Sequence, residues 1–297
     1  MPDPSPIRRL DRMTLSDMEA LDPKRTLVMC AISPLEVHGP HLPIGQDLYE
    51  ADALAERALE LVAAQLPDWA FIMTPPVPVS IDAIPHTGSV NMTVSVVRDV
   101  AFSMLRPFAH RGFARLCFSA FHGSPRHICA LEHAAVKLNK LHPDTAAASV
   151  FSIATRRMVE GDVFYDAVSK HGASPLKTSQ MEKDTHAGFV ETSLALHLWP
   201  ELVRHGWQDL PPATKVPEDE EGRSFLMGDD KQSFSDKMAV MKERIGGIKA
   251  SVNHFRQHTY SGYPGAAGAE HGKQIFDHLS DMCRDILIEF IEKGRDM

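Results

Sequence analysis

The stretch Thr26-Leu-Val-Met-Cys-Ala-Ile-Ser-Pro-Leu-Glu-Val-His-Gly-Pro-His-Leu-Pro-Ile-Gly-Gln-Asp47 joins a short apolar run to a loop dense in metal-binding residue types. Residues 26–32 are rich in β-formers and closed by Ser33-Pro34, the pattern of a buried strand. Glu36, His38, His41 and Asp47 therefore leave the end of a core strand together. In open α/β sheets, ligands bind in the crevice beyond the carboxyl ends of the strands. Fold and site are thus read from the same residues. In an extended segment, residues two apart point the same way, so Glu36 and His38 face one spot. Gly39-Pro40 and Pro43 turn the chain and allow Asp47 to return to that spot. Carboxylate and imidazole together suit zinc, manganese or iron(II), and a shared carboxylate suits a two-ion site. The same mixture also fits a polar surface loop, and Asp47 also fits the N-cap of the helix that follows.

Working outward, strands alternate with helices. Leu48, Ala51, Leu54, Ala55, Ala58, Leu61 and Val62 have helical spacing. Residues 70–74 and 77–80 read as a strand and its exit, 94–106 as an amphipathic helix stopped near Pro107, and 115–119 as a buried strand. That strand delivers Ala120-Phe-His-Gly-Ser-Pro-Arg-His127, followed by a helix over 128–141, so His122 stands at a second strand-to-helix junction. Residues 148–153 predict another strand, Asp184–Trp199 opens a helix, and 273–293 carries one apolar face. The reading is a single domain over 1–297 of α/β class, a three-layer α/β/α arrangement around a mainly parallel sheet. Residues 205–245, with Pro211-Pro212 and the acidic run Glu218–Glu221, read as a solvated insertion or lid.

Composition narrows the function classes. A chain of 297 residues with 43% hydrophobic and 24% charged residues suits a globular protein with one sizeable core. The net charge of −8 argues against a nucleic-acid partner, and no apolar run reaches the roughly 18 residues of a membrane span. With no secretory pattern at the N-terminus, the expected location is the cytoplasm. Cys30, Cys117, Cys129 and Cys283 form no Cys-x-x-Cys pair and read as reduced, buried small hydrophobes.

Glu36-Val-His-Gly-Pro-His-Leu-Pro43, with an Asp at 47, resembles the signature of the creatininase family of metal-dependent amidohydrolases. Phe118-Ser-Ala-Phe-His-Gly123, His186-Ala-Gly-Phe-Val-Glu-Thr-Ser193 and, more loosely, Gly262–Gly272 match in the family's order. The resemblance implies a creatininase-like fold, two divalent ions (zinc, manganese or iron) and a small-molecule substrate. It also implies a homo-oligomer, commonly a hexamer. Carried residue by residue, it makes Glu36, Asp47 and His122 ligands of one ion. His38 and Asp47 become ligands of a second, with Asp47 bridging. His186 matches a catalytic histidine, and Glu191 a glutamate beside the substrate.

Two departures stand out. The family's carboxylate two residues after the ligand His is replaced by Ser124, so Glu191 or water is the expected second-site substitute. The family's His ahead of Phe-Pro-Gly-Thr is displaced, and His86 reads either as its substitute at the pocket or as a solvated loop histidine. Arg126 and His127 are additions that suit either solvation of the helix start or an anionic or carbonyl-bearing substrate. The expected activity is hydrolysis of a C–N bond in a small cyclic amide, not a peptide bond. A metal-dependent hydrolase or isomerase of a polyol-derived ketone or lactone, and a metal-binding homologue without catalysis, are the alternatives.

Overall fold

The computed structural model describes residues 6–160, 175–214, 253–255 and 257–297. Its centre is β2 (Thr26–Ser33), buried along its whole length. Parallel ladders join β2 to β3 (Ala70–Met73) on one side and β5 (Arg115–Ser119) on the other. The sheet ends at β1 (Ile7–Arg9) beside β3 and at β6 (Ala146–Ser149) beside β5. The short β4 (Val77–Pro78) pairs with Ile32 and Ser33, the last residues of β2. All these ladders are parallel, and the resulting order β1-β3-β2-β5-β6 makes the fold α/β.

The central strand β2 is apolar on both faces because helices cover both, as parallel sheets require. Leu27 and Met29 pack on one side with α2 (Gln46–Gln65), α5 (Val150–Glu160), α7 (Phe189–Leu198) and α8 (Ala269–Lys293). Val28, Cys30 and Ile32 point to the other side, against α3 (Val94–His110) and α4 (Pro125–Leu141). Two further short helices are α1 (Leu15–Glu19) and α6 (Thr178–Met181). Among the described residues no helix is long and apolar enough to cross a membrane.

Several expectations shift. Residues 148–153 do not form one strand: β6 stops at Ser149, and Val150 begins α5. Helix α3 runs through Pro107 to His110, and α8 begins at Ala269 rather than 273. Its Gly272 lies so close to the Ser193 carbonyl that a Cβ would overlap that oxygen, so glycine there sets how near α7 approaches. Strand β1 lies in what read as a polar lead-in, with Ile7 buried against the core. Cys129 is exposed, unlike the other three free cysteines. Of residues 205–245, those from 215 onward lie outside the described residues; Trp207–Asp209 form a 3-10 turn.

The fold brings the loops after β2 and β5 side by side, and one hydrogen bond ties them. The Ser33 hydroxyl at the end of β2, fully buried, accepts from the Phe121 backbone N–H at 2.8 Å. Removing that acceptor leaves a donor unmet, a loss of about 1–3 kcal/mol. Ser33→Ala should lower unfolding stability by that amount in urea denaturation; a change near zero shows that the junction is held by other contacts.

Candidate metal centre

Three loops at the carboxyl ends of β2, β5 and the chain before α7 converge on one buried cluster. Glu36, His38 and Asp47 are each at most 2% exposed, and His122 and His186 are 9% exposed. The loop carrying the first three turns at Gly39, whose φ of 65° is left-handed and favours glycine. Asp47 does not cap α2; Gly45 holds the N-cap position and Asp47 lies in the first turn. Its carboxylate is therefore not committed to a helix end.

The histidines show which atoms are free. Backbone carbonyls only accept, so the ring nitrogen facing one must carry the hydrogen. His38 Nδ1 lies 3.0 Å from the Glu36 carbonyl, His122 Nε2 lies 2.9 Å from that of Ile81, and His186 Nε2 lies 2.8 Å from that of Val37. In the neutral rings this leaves His38 Nε2 and His122 Nδ1 as lone pairs. His38 Nε2 stands 3.0 Å from Asp47 Oδ1 and 3.8 Å from Glu191 Oε2. His122 Nδ1 stands 3.1 Å from Glu36 Oε2 and 3.2 Å from Asp47 Oδ2. With His122 neutral, neither Glu36 Oε2 nor Asp47 Oδ2 has a hydrogen-bond partner; a His122 ring protonated at Nδ1 donates to them. Lone pairs facing each other in a buried site repel unless a proton or a metal ion lies among them.

The electrostatics agree. Burial pulls the His38 pKa down, but Asp47, with Glu191 and Glu36 behind it, overrides burial and raises it to about 10. His122 is likewise raised well above its usual value by Asp47 and Glu36 despite burial. Burial pushes Asp47 up, yet His38 and His122 hold it well below the usual carboxylate range. The cluster's field favours positive charge, which protons or metal ions can supply. By contrast, burial and then the neighbouring His38 lower His186 to about 4, so it is neutral near pH 7. Burial raises Glu191 to about 7 against the pull of His38.

The donor atoms fall into three overlapping groups, Glu36/Asp47/His122, His38/Asp47/Glu191 and Glu36/His38/His186, each with its atoms within 4.8 Å of one another. Asp47 belongs to the first two. Imidazole nitrogens with carboxylate oxygens suit zinc and manganese, and each imidazole's second nitrogen is held by a carbonyl, as metal-bound histidines usually are. The residues present fit divalent ions.

Other candidates lie elsewhere. His41 is buried but its Nε2 pairs with the Thr192 hydroxyl at 2.8 Å, outside all three groups. His86 is exposed and joins none of them. Ser124 caps α4 through the His127 N–H and donates to Asp82 Oδ2 at 2.8 Å. Arg126 is engaged with the same Asp82 carboxylate. His127 is fully buried, its Nε2 donating to the Ile32 carbonyl at 3.1 Å and its ring edge-on to His122. It braces His122 and is not open to substrate. Sequence reasoning missed the Ile81–Ile84 loop, whose Ile81 carbonyl orients His122 and whose Ile84 N–H donates to Glu36 Oε1 at 2.6 Å. Backbone partners of this kind leave no residue-type signal. It also missed Glu50, fully buried one turn after Asp47, where the Gln46 amide donates to it at 2.8 Å. The spacing of three on α2 was its available signal.

The creatininase family model, described as creatinine amidohydrolase, matches residues 11–287. Among solved structures, a Bacteroides fragilis NCTC 9343 protein assigned as a creatinine amidohydrolase is similar at a TM-score of 0.65 and 19% identity, over 96% of each chain. A manganese creatininase gives 0.61 at 17% identity over 95% of this chain and 97% of that one. A zinc–zinc form of a creatininase variant gives 0.61 at 18% identity over 95% and 97%. At these identities the likeness concerns the fold. No curated protein sequence matches the chain.

An ion bound only by the folded state stabilises it, by about 2.7 kcal/mol at one hundred times its dissociation constant. Zinc or manganese should therefore raise the melting temperature of chelator-stripped protein in calorimetry. A midpoint that does not move over a wide range of ion concentrations contradicts a cation-binding cluster.

Proposed function

The chain belongs to the creatininase family, and from that premise we propose that it is a metal-dependent hydrolase of the C–N bond in a small cyclic amide. Glu36, Asp47 and His122 hold one ion; His38, Asp47 and Glu191 hold the other, with Asp47 shared. The observation that carries this reading is the split of the Asp47 carboxylate, one oxygen facing His38 and the other His122. Ser124 cannot supply the carboxylate found at that position in the family, and Glu191 takes its place. Divalent ions, when bound, polarise a carbonyl and lower the pKa of water from 15.7 toward about 7.

The chain's own groups do the rest. His186, neutral and with Nε2–H held on the Val37 carbonyl, has Nδ1 left to accept a proton and return it to the leaving nitrogen. General acid–base transfer of this kind contributes roughly 10²–10⁴-fold. The Val37 and Ile81 carbonyls fix the ring orientations of His186 and His122. Burial of Glu36, His38 and Asp47 keeps bulk water from screening the charges that stabilise the reacting carbonyl. A small-molecule substrate, a cytoplasmic setting and a homo-oligomeric assembly belong to the same reading. Ser124 also supports a second reading, a chain that holds one ion tightly and does not turn over.

Elemental analysis of purified variants separates the two readings and tests the ligands. Wild type should hold two ions and release carboxylate and amine from members of a lactam panel. Asp47→Ala should lose both ions, and His122→Ala one. His186→Ala should keep both ions while turnover falls by roughly 10²–10⁴-fold. Equal metal content in wild type and Asp47→Ala defeats the shared-ligand assignment, and normal turnover in His186→Ala removes its proton-transfer role.

A further inference from the structure

We propose that Asp184 is a positioning residue for the second ion site: its carboxylate holds the backbone that presents Glu191, and through it sets that site's affinity. The inference rests on the ligand roles proposed above. Asp184 Oδ1 accepts the Phe189 N–H at 2.7 Å and the Tyr263 N–H at 3.0 Å, and Oδ2 accepts the Val190 N–H at 3.0 Å. Phe189 and Val190 are the first two residues of α7, whose N-cap is Gly188 and makes no side-chain bond. Asp184 therefore satisfies helix-end donors from outside the usual cap position.

The third donor comes from a different part of the chain. The Thr185 and His186 N–H groups donate to the Ser261 carbonyl at 2.9 and 3.0 Å, and the Ser261 N–H donates to His186 at 2.7 Å. Asp184 thus fastens this two-segment ladder to the start of α7. Space around it is closed: a Cβ on either Gly188 or Gly262 would overlap Asp184 Oδ1. On Gly262 that Cβ would also lie 2.8 Å from Gly188 Cα.

Between the helix start and the ladder sits Ala187 at φ 47°, a left-handed conformation that is unfavourable for a non-glycine residue and persists only where its surroundings impose it. Two carboxylates impose it. Asp184 holds the helix side, and Glu191 reaches back to the Ala187 N–H. Release of the Asp184 bonds lets Ala187 relax to an ordinary conformation, and Glu191 then leaves its place opposite His38. Glu36 and His122 ride on other loops and Asp47 on the first turn of α2, so none of the first site's ligands is carried by the braced segment.

Calorimetric titration of metal-free protein with Mn²⁺, with bound metal counted by elemental analysis, tests the proposal. Loss of groups that orient a ligand typically weakens a metal about 10–100-fold. Asp184→Ala should bind the first ion as wild type does and the second about 10–100-fold more weakly. Asp184→Asn keeps the two bonds to Oδ1 but sets an amide NH₂ against the Val190 N–H, so its loss should be smaller. Gly262→Ala crowds the carboxylate without changing any charge and should reproduce the effect of Asp184→Ala. Wild-type affinity for both ions in a folded Asp184→Ala protein overturns the inference. Equal weakening of both ions also overturns it, because that is general structural damage. If Asp184→Ala does not fold, Asp184→Asn is judged by the same comparison. A wild-type chain holding fewer than two ions is a separate result, read before any variant is made; it removes the ligand assignment and the inference with it.

Discussion

Two carboxylates confronting two imidazole lone pairs in a buried site are the constraint on which the rest of this structure depends. Glu36 and Asp47 on one side, and His38 and His122 on the other, would repel one another in a dry interior if all were in their unprotonated forms. The arrangement persists because backbone carbonyls dictate which nitrogen of each ring faces inward. A positive charge in their midst then turns every one of those contacts from repulsive to attractive.

The supports of this cluster come from the sheet. Parallel pairing of β2 with β5 brings two strand-to-helix junctions next to each other, and the Ser33–Phe121 bond fastens them. The loop around Ile81–Ile84 then closes over both, orienting His122 from one end and Glu36 from the other. Ser124 and Arg126 anchor the same loop through Asp82, whose own backbone is at a positive φ of 66°. Ser124, at the second residue after His122, is thus part of a scaffold contact. The third loop meets the cluster from the opposite side, with Glu191 near His38.

Much of the fold could be read along the chain. The run 26–32 is apolar at every position because helices lie on both faces of the sheet, and the periodicities of α2, α4 and α8 follow the faces they bury. Misreadings fell where local pattern was weakest. Ala148–Ile153 is apolar enough for a strand, yet β6 ends at Ser149, where the Ser149 hydroxyl receives the Ser152 N–H as α5 begins. Strand β1 was lost among prolines and charges because only Ile7 of its three residues is buried.

At the site, residue types and spacings within single segments determined which groups could meet: Glu36 beside His38, Asp47 at a return of the chain, His122 at the next junction, and His186 five residues ahead of Glu191. Only the tertiary structure decided that His41 turns away to Thr192, that His127 lies behind His122, and that Asp47 divides its two oxygens between two imidazoles. The reason is physical. Ring tautomer and carboxylate direction are set by backbone carbonyls and amides from distant loops, and every residue type offers the same backbone groups, so they leave no mark in the amino-acid sequence.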